Sequence, residues 1–464
     1  MGRIKPKELS ELGYTDDVAR SIATEIISKS YKHETREEIV RILREIHSNP
    51  DIFKGNLVWG KLAEVLSPSK VLSNSYELHD SSLPYTIFGA DNIDSLAISQ
   101  MEMAMRLPIT VAGALLPDGC SDNGLPIGGV LATTDDVIIP YAIGKDIGCR
   151  MSLTILDAAA DYLDKYHDRA VDALDANTAF GLDGVPYKQH NPLFGKSEFR
   201  EISILKELRE NAMRQLGSCG KGSHFVDICE VELTSNNALG LAEGNYLAIL
   251  SHSGSRSLGA SIADYYTVIA KETCRLPRQA EPFAWLDINS EAGQDYWRCM
   301  HIAGEYSALN HEIIHLRVAE ALQLQQLKNI SNHHNFAWRE KLPDGRTVII
   351  HRKGSIPAHQ CELGIIPGSM TTPGYIVTGK GNYESLFSAS HGAGRTISRQ
   401  EARNNISRYG MKQYLAEKDI TLLGGTTEEA PQAYKDIELV MQSQRELINI
   451  EGKIIPRIIK MSDE

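Results

Sequence analysis

Residues 137–150, VIIPYAIGKDIGCR, hold the pattern that decides the fold class. The apolar run at 137–139 stops at Pro140 and gives way to a glycine-rich stretch that ends in Asp-Ile-Gly-Cys-Arg. Short apolar runs bounded by Gly and Pro are typical of short strands separated by loops, and residues 375–377, YIV, repeat the pattern. Such strands do not alternate regularly with helices. The sequence therefore predicts an α+β fold rather than a doubly wound sheet.

Helical patterns occur at the start of the chain and again within its body. Apolar residues recur at helical spacing after residues 15–17, TDD, and after the capping-box sequence at 35–38, TREE. Further helices are predicted over Ser95–Leu107 and about Trp297–Gln325. The predicted segments are a helical accessory domain at 1–66, a linker at 67–84 and a catalytic domain at 85–464.

The composition is that of a globular protein with a substantial core. Of the 464 residues 42% are hydrophobic and 23% are charged, which excludes a disordered chain. The 48 basic and 60 acidic side chains give a net charge of −12, which argues against coating of nucleic acid by long-range charge but allows a local basic pocket. The seven cysteines form no Cys-x-x-Cys pair, and the sequence has no apolar leader or membrane-length apolar run. We therefore expect a reduced, cytoplasmic protein with no membrane partner.

Four glycine-rich or turn-like stretches contain residues that commonly bind metals. Asp146 and Cys149 are three positions apart, close enough for a carboxylate and a thiolate to reach one ion. His224 begins an apolar run, His252 lies in the sequence SHSGSR, and residues 332–335 read NHHN. A single such histidine is more often a structural residue. Three of them together with an Asp-x-x-Cys favour a metal site built from distant segments.

The run SASHGAGR at residues 388–395 has a different character. Small residues around His391 allow the backbone to approach a phosphate closely, and Arg395 would add a bidentate phosphate contact. A histidine so placed can attack phosphorus and form a covalent intermediate. The alternative is a tight turn with a surface imidazole. Residues 351–354, HRKG, and 367–370, PGSM, either offer further phosphate contacts or are ordinary turns.

Taken in order, these motifs resemble those of the RtcB family of GTP-dependent RNA ligases, from about residue 80 to Lys460. The series is PDG, GLPIGGV, DIGCR, GKGSHF, HSGSRSLG, HHN, HRKG, PGSM, SHGAGR and AYKDI. The resemblance implies an RtcB-like α+β fold with central β-sheets surrounded by helices. Residues 1–66 would then be an added N-terminal extension, used for packing or for a protein partner.

The same resemblance implies an RNA ligase that joins 2′,3′-cyclic phosphate or 3′-phosphate ends to 5′-hydroxyl ends, in tRNA splicing or RNA repair. GTP and two Mn²⁺ ions would be its cofactors. His391 would attack the α-phosphate of GTP and carry GMP to the RNA 3′-phosphate. From the chemistry alone, we expect Asp118 to orient His391 through a hydrogen bond.

The resemblance makes Cys149 the ligand shared by both ions, with His252 and His334 on one and Asp146 and His224 on the other. For the nucleotide and for phosphate groups it nominates further residues by motif. The nucleotide set is Ser223, Asp227, Asn335, Ser369, Ala393, Gly394, Arg395, Tyr434 and Lys460, and the contacts to GTP or RNA phosphates are Arg256, Lys353 and Arg399.

The sequence departs from the family pattern in three places. Where the family has a histidine and a Gly-Tyr-Gly run after Pro-Asp, residues 120–124 read CSDNG. The usual Asn before the metal histidine is Ser223, and the usual Glu three residues after that histidine is Asp227. We expect Asp227 to accept from guanine N–H groups while Tyr434 stacks on the base. These changes leave the metal ligands and His391 in place, and we expect any effect of them to fall on nucleotide affinity, base selectivity or RNA-end geometry.

Two other functions stay open at the level of sequence. One is a metal-dependent phosphoesterase that keeps the metal centre without ligating, and the other is a noncatalytic RNA-end-binding paralogue. Covalent labelling of the protein by GTP distinguishes a ligase from both.

Overall fold

The structure of the chain is a computed structural model. It describes residue 4 and residues 6–31, 34–53, 55–56, 58–67, 74–181 and 191–463. The chain forms two compact units, Met1–Ser73 and Asn74–Glu464. Of the predicted linker, residues 68–73 lie outside the described residues, whereas Asn74–Ser75 is a short strand paired in parallel with Cys274–Arg275 in the second unit.

The first unit is a small helical bundle. Its helices are Pro6–Glu11, Asp17–Ser30, Arg36–Ser48 and Gly60–Leu66. The Asp16 carboxylate accepts from two backbone N–H groups of the second helix, and the Thr35 hydroxyl accepts from the backbone of Glu38 in the third. Leu43, Trp59 and other apolar residues form a core belonging to this unit. The capping sequences therefore begin both helices where the sequence predicts.

The second unit is built on a large, mainly antiparallel sheet that curls on itself. In spatial order its strands are Gln326–His333, Arg150–Ala159, Gly244–Ser253, Phe225–Leu233, Ile448–Met461, Gly374–Gly379 and Leu363–Ile366, with Thr421–Leu423 beside Ile448–Met461. Met151, Leu153 and Ile155 alternate along one strand and pack with Ile365 on its inner face. The Asn332 side chain accepts from the Ile365 backbone N–H at 2.8 Å, which joins the two edge strands.

A second sheet packs beside the first. Its strands, in order, are Asn335–Lys341, Thr347–Lys353, Ile127–Thr134, Thr110–Cys120 and Thr86–Ile87. Shorter strand pairs join Val137–Ile138 to Leu286–Asp287 and Ser355–Pro357 to Ser388–Ser390. The second of these pairs places the loop after Ser390 next to the end of strand Thr347–Lys353.

Helices cover these sheets and supply most of the remaining core. They are Ser95–Ala104, Tyr162–Asn177, Glu198–Glu201, Ser203–Gln215, Arg256–Thr273, Glu291–Leu322, Arg399–Asn405, Arg408–Ala416 and Ile437–Ser443. The longest begins earlier than the predicted Trp297 because the Ser290 hydroxyl accepts from the backbone of Gly293 and caps it. Sheets and helices in this arrangement confirm the predicted α+β fold. In the described part of the chain, no helix is both long enough and apolar enough to cross a membrane.

Antiparallel pairing explains how distant motifs meet. Arg150 at the start of its strand lies opposite Ser253 on one side and His333 on the other. Phe225, which begins the next strand along, lies opposite His252. Because neighbouring antiparallel strands run in opposite directions, the start of one lies beside the end of the next. The starts of strands Arg150–Ala159 and Phe225–Leu233 therefore lie beside the ends of strands Gly244–Ser253 and Gln326–His333 at one end of the sheet.

Candidate active site

This end of the sheet opens into a cavity of about 740 Å³. All but three of the site residues expected from sequence line it, and the exceptions are Asp118, Arg256 and Lys460. The cavity also receives residues from the strand ends of the second sheet and the loop after Ser390, which contains His391. Tertiary pairing thus brings together motifs that lie up to a few hundred positions apart in sequence.

The metal-type residues form two groups that share one thiol. Cys149, His252 and His334 make one group, and Asp146, Cys149 and His224 make the other, with all donor atoms of a group within 4.8 Å of one another. The Cys149 sulfur lies 3.2 Å from His252 Nε2 and 3.4 Å from His224 Nε2. His252 Nε2 is 3.2 Å from His334 Nε2, and His224 Nε2 is 2.9 Å from an Asp146 carboxylate oxygen. The resemblance assigns these same two groups to two ion sites, and the structure brings the members of each group together.

The tautomer of His252 suits metal binding. Its Nδ1 lies 3.0 Å from the backbone carbonyl of Ser223. A carbonyl only accepts, so Nδ1 carries the proton and Nε2 presents its lone pair to Cys149 and His334. A histidine whose far nitrogen donates to a carbonyl is a common arrangement for a metal ligand.

Burial sets the protonation of these donors. It lowers the pKa of His252 to about 3, with the neighbouring His224 and His391 adding to the shift, and it lowers the pKa of His334 well below the usual value. Both imidazoles are therefore neutral at pH 7, the form that binds metals. Burial, followed by the nearby Asp146 charge, raises the pKa of the Cys149 thiol well above its usual value. For Asp146, burial opposes ionisation, but His224 and Arg256 bring the pKa of the carboxyl below its usual range.

His391 stands beside this cluster in a fixed orientation. Its ring centroid lies 5.0 Å from that of His334. Its Nδ1 donates to the fully buried Asp118 carboxylate at 2.6 Å, and its backbone N–H donates to the same oxygen at 3.0 Å. Because a carboxylate only accepts, Nδ1 carries the proton and the free lone pair lies on Nε2. The contact expected of Asp118 from the chemistry is present in the structure.

Two glycines let the loops approach this closely. Gly394 has φ +74°, and a Cβ added there would lie 2.4 Å from the Asp118 backbone oxygen. A side chain at this position would therefore be strained and would separate the loop of His391 from Asp118. A Cβ at Gly254 would lie 2.0 Å from an Asp146 carboxylate oxygen, so the absence of a side chain there leaves room for a metal-type donor.

One wall of the cavity is organised by a carboxylate that sequence reasoning missed. Glu429 is 2% exposed and pairs with Arg395 at 3.3 Å and with Arg399 at 3.2 Å. It also accepts from the Tyr434 hydroxyl, and the Arg395 guanidinium lies over the Tyr434 ring at 5.2 Å. Glu429 thus connects three residues expected to hold nucleotide or phosphate. Its signal in sequence is only an acidic pair, Glu428-Glu429, shortly before the AYKDI motif.

Asp227 is a buried carboxyl group facing the cavity. It is 3% exposed, and its Oδ1 has no hydrogen-bond partner among the described residues. Burial raises its pKa well above the usual value. An unpaired buried acceptor is costly, so this oxygen is suited to a ligand that brings N–H donors.

Among the other predicted nucleotide residues that line the cavity, some already form hydrogen bonds with neighbouring residues. The amide of Asn335 donates to the Asp146 backbone at 3.3 Å and accepts from the Gly354 backbone at 2.9 Å, so it ties two loops of the site together. The Ser369 hydroxyl lies 2.9 Å from the Thr372 hydroxyl. The remaining predicted residues at the wall are Ser223, Ala393 and Gly394.

The structure does not bring Lys460 or Arg256 to the cavity surface. Lys460 lies in a strand where its neighbours Ile459 and Met461 line the cavity, so alternation turns its side chain to the other face. There its ammonium donates to the backbone oxygens of Asp175 and Thr178. The Arg256 guanidinium lies behind the metal-type cluster and donates to His224 Nδ1 at 2.8 Å.

This geometry is that of a protein with a candidate two-ion centre next to a histidine that is oriented by a buried carboxylate. A sequence profile described as "tRNA-splicing ligase RtcB" matches residues 100–203 and 189–460. The RNA-splicing ligase RtcB of Escherichia coli strain K12 is 29% identical over 366 residues, which cover 73% of this chain and 86% of the relative.

Two archaeal relatives match over a similar range. The tRNA-splicing ligase RtcB of Aeropyrum pernix is 30% identical over 423 residues, covering 75% of this chain and 87% of the relative. That of Thermococcus kodakarensis is 27% identical over 428 residues, covering 76% and 88%. The chain belongs to the RtcB family.

Proposed function

We propose that this protein is an RNA ligase that joins RNA 2′,3′-cyclic phosphate or 3′-phosphate ends to 5′-hydroxyl ends through a histidine–GMP intermediate. The observation that carries the proposal is the pair formed by His391 and Asp118 beside the shared-thiol cluster. Asp118 holds the proton of His391 on Nδ1, and the ring faces a cavity with room for a nucleotide. Membership of the RtcB family supports the same reaction class.

In the first step, His391 Nε2 attacks the α-phosphorus of GTP. A nitrogen–phosphorus bond forms, the bond from the α-phosphorus to the bridging oxygen breaks, and pyrophosphate leaves. The ring gains positive charge as the bond forms, and the adjacent Asp118 carboxylate stabilises that charge. GMP then passes to an oxygen of the RNA 3′-phosphate. Attack by the RNA 5′-hydroxyl on the activated phosphorus forms the phosphodiester and releases GMP. A 2′,3′-cyclic phosphate would first be opened by water.

The donor set supports two divalent ions, which we propose to be Mn²⁺. Cys149, His252 and His334 would hold one, and Asp146, Cys149 and His224 would hold the other. Cys149 Sγ and His334 Nε2 each lie 3.2 Å from His252 Nε2, so deprotonated donors at these positions would gain from a cation between them. When bound, such ions neutralise phosphate charge and orient an in-line displacement.

The base and phosphates of GTP would lie against the predicted nucleotide residues that line the cavity. Asp227 would accept from the N–H groups of guanine, because its Oδ1 is buried and has no hydrogen-bond partner in the described part of the chain. Tyr434 would stack on the base, and Arg395 and Arg399, which Glu429 holds in place, would contact phosphates. The guanidinium groups of Arg395 and Arg399 would supply local positive charge for a polyanionic substrate on an acidic chain.

We further propose a role in tRNA splicing or RNA repair in the cytoplasm. All seven cysteines are free, which suits a reducing compartment in which Cys149 stays available to metals. Residues 1–66 are proposed as an accessory domain that binds a protein partner, with residues 85–464 as the catalytic domain. The helical bundle with its own core supports a separate role for the N-terminal segment.

Labelling with α-phosphate-labelled GTP and Mn²⁺ tests the proposal. We expect an acid-labile, alkali-stable adduct on the protein, its loss in the His391→Ala variant, and joining of 3′-phosphate to 5′-hydroxyl RNA by the unaltered protein. Absence of an adduct in any divalent metal refutes the ligase. Release of phosphate from RNA ends without joining would instead identify a phosphoesterase, and binding of RNA ends without either reaction a noncatalytic paralogue.

A further inference from the structure

A buried lysine in the cavity wall already holds an anion supplied by the chain. Lys353 ends the strand Thr347–Lys353 and is 2% exposed. Its ammonium lies 2.7 Å from an Asp122 carboxylate oxygen, donates to the Asn123 backbone oxygen at 2.6 Å, and sits 5.5 Å from the centre of the Tyr141 ring. Burial lowers the pKa of Lys353, whereas the Asp122 charge opposes this shift and favours the cation. The cavity wall therefore contains a cationic position occupied by a carboxylate.

The two partners differ in freedom of movement. Lys353 is enclosed, whereas the Asp122 side chain is 48% exposed. The backbone around Asp122 is held from outside the cavity, because its N–H donates to the Gln100 side chain at 3.1 Å and the Gln100 amide donates back to its carbonyl. The neighbouring Ser121 N–H donates to the Asp94 carboxylate at 3.0 Å. Rotation of the Asp122 side chain alone can therefore withdraw the carboxylate from Lys353, while the loop and the bond from Lys353 to the Asn123 backbone stay in place.

The pair of Lys353 and Asp122 lies where a phosphate of the substrate could replace the carboxylate. Both residues line the cavity that contains His391 and the metal-type donors. A phosphate oxygen and a carboxylate oxygen make the same kind of charge-assisted bond to an ammonium. A phosphate dianion has more charge than the carboxylate it replaces, whereas a neutral hydroxyl end has none.

We infer that Asp122 is a specificity-determining residue, whose carboxylate occupies the phosphate position on Lys353 and yields it to a terminal phosphate but not to a hydroxyl end. The inference rests on the proposed function, since it assigns a substrate phosphate to this wall. That phosphate belongs either to the RNA 3′ end or to GTP, and the two arms of the experiment below separate these sources. Competition by Asp122 lowers the affinity for every anion, so weak or singly charged anions are excluded first.

The Asp122→Asn variant removes the competing charge and keeps the size of the side chain. Ion pairs with one exposed partner contribute up to about 1 kcal/mol, so relief of competition is expected to tighten phosphate binding about three- to fivefold. The gain requires Lys353, and it disappears in the Lys353→Ala background, as a double-mutant cycle measures. Glu305→Gln is the matched control, because Glu305 pairs with Lys196 on the surface and undergoes the same change of charge outside the cavity.

Binding is measured on the full chain in the His391→Ala background with Mn²⁺, so that no covalent transfer intervenes. One arm uses a fluorescent RNA hexamer with a 3′-phosphate and its 3′-hydroxyl counterpart, and the other uses GTP alone. Tighter binding of the 3′-phosphate RNA in Asp122→Asn, with no change for the hydroxyl end or in Glu305→Gln, supports the inference and assigns the position to the RNA end. A gain confined to GTP supports the inference and assigns the position to the nucleotide.

Unchanged or weaker binding of both phosphate ligands in Asp122→Asn overturns the inference while leaving the proposed function standing. This is the result expected if Asp122 only holds Lys353 in place. If the parent protein binds neither phosphate-ended RNA nor GTP, the proposed function fails, and inorganic phosphate is then the probe. Tighter phosphate binding in Asp122→Asn that depends on Lys353 would still support the inference, and its absence would overturn it.

Discussion

Replacing Asp118 with Asn tests the central step of the proposed reaction. One carboxylate oxygen of Asp118 accepts from His391 Nδ1 at 2.6 Å and from the His391 backbone at 3.0 Å, in a fully buried position. The amide is nearly the same size but carries no charge. It can therefore still hold the ring, but it cannot stabilise the positive charge that the ring gains when Nε2 bonds to phosphorus.

The expected loss follows from the strength of the bond that changes. A hydrogen bond to a charged group contributes about 1.5–3 kcal/mol, and this contribution is realised when the imidazole becomes cationic. We therefore expect the rate of His391 labelling by GTP to fall about 10- to 150-fold in Asp118→Asn. Single-turnover labelling with saturating GTP and Mn²⁺ measures this rate directly.

Two controls separate a chemical effect from a structural one. Asp118 is not one of the metal-type donors, so the Mn²⁺ content of the variant should equal that of the unaltered protein. Its thermal unfolding curve should show a folded protein at the assay temperature. A labelling rate within about twofold of the original in a folded, metal-loaded variant would refute the role given to Asp118.

Three further predictions concern the metal centre and the nucleotide wall. Cys149→Ser should reduce the binding of both ions because the two donor groups share this thiol, whereas His224→Ala should leave one ion bound. Elemental analysis measures the number of ions per chain. An equal number in the two variants would contradict a shared ligand. The thiol of Cys149 has a raised pKa, so metal binding must displace its proton. The apparent Mn²⁺ affinity should therefore rise about tenfold per pH unit near neutrality. Titrations from pH 6 to 8 in which the affinity does not change with pH would exclude thiolate ligation. Glu429→Gln removes the charge that holds Arg395 and Arg399. It should weaken GTP binding about three- to tenfold without changing the metal content. Unchanged GTP affinity in an equilibrium binding assay would show that this wall does not hold the nucleotide.

Local chemistry made much of this protein predictable from its sequence. Helix starts at Asp17 and Arg36 follow from the Asp and Thr caps before them, which act on backbone groups a few residues away. The small residues around His391 predict a close approach of the backbone, and Gly394 makes that approach to Asp118. These features depend on neighbours in the chain, so the residue pattern is sufficient to find them.

Contacts between distant segments were not predictable in the same way. Glu429 has an ordinary acidic sequence context, and only the folded wall shows that it connects Arg395, Arg399 and Tyr434. Lys460 matches a family position by motif, yet strand alternation points it away from the cavity. The partner of each side chain depends on strand pairing and register, which short motifs do not specify.

The sequence by itself determined which chemical groups this protein has: an Asp-x-x-Cys, isolated histidines in glycine-rich loops, and His391 in a phosphate-type loop. Their order along the chain also indicated the family. Only the tertiary structure decided that these groups form one site, because the antiparallel register places the start of the strand after Cys149 beside His252 and His333. Spacing in sequence contains no information on such pairing between remote strands, which is set by the packing of the whole sheet.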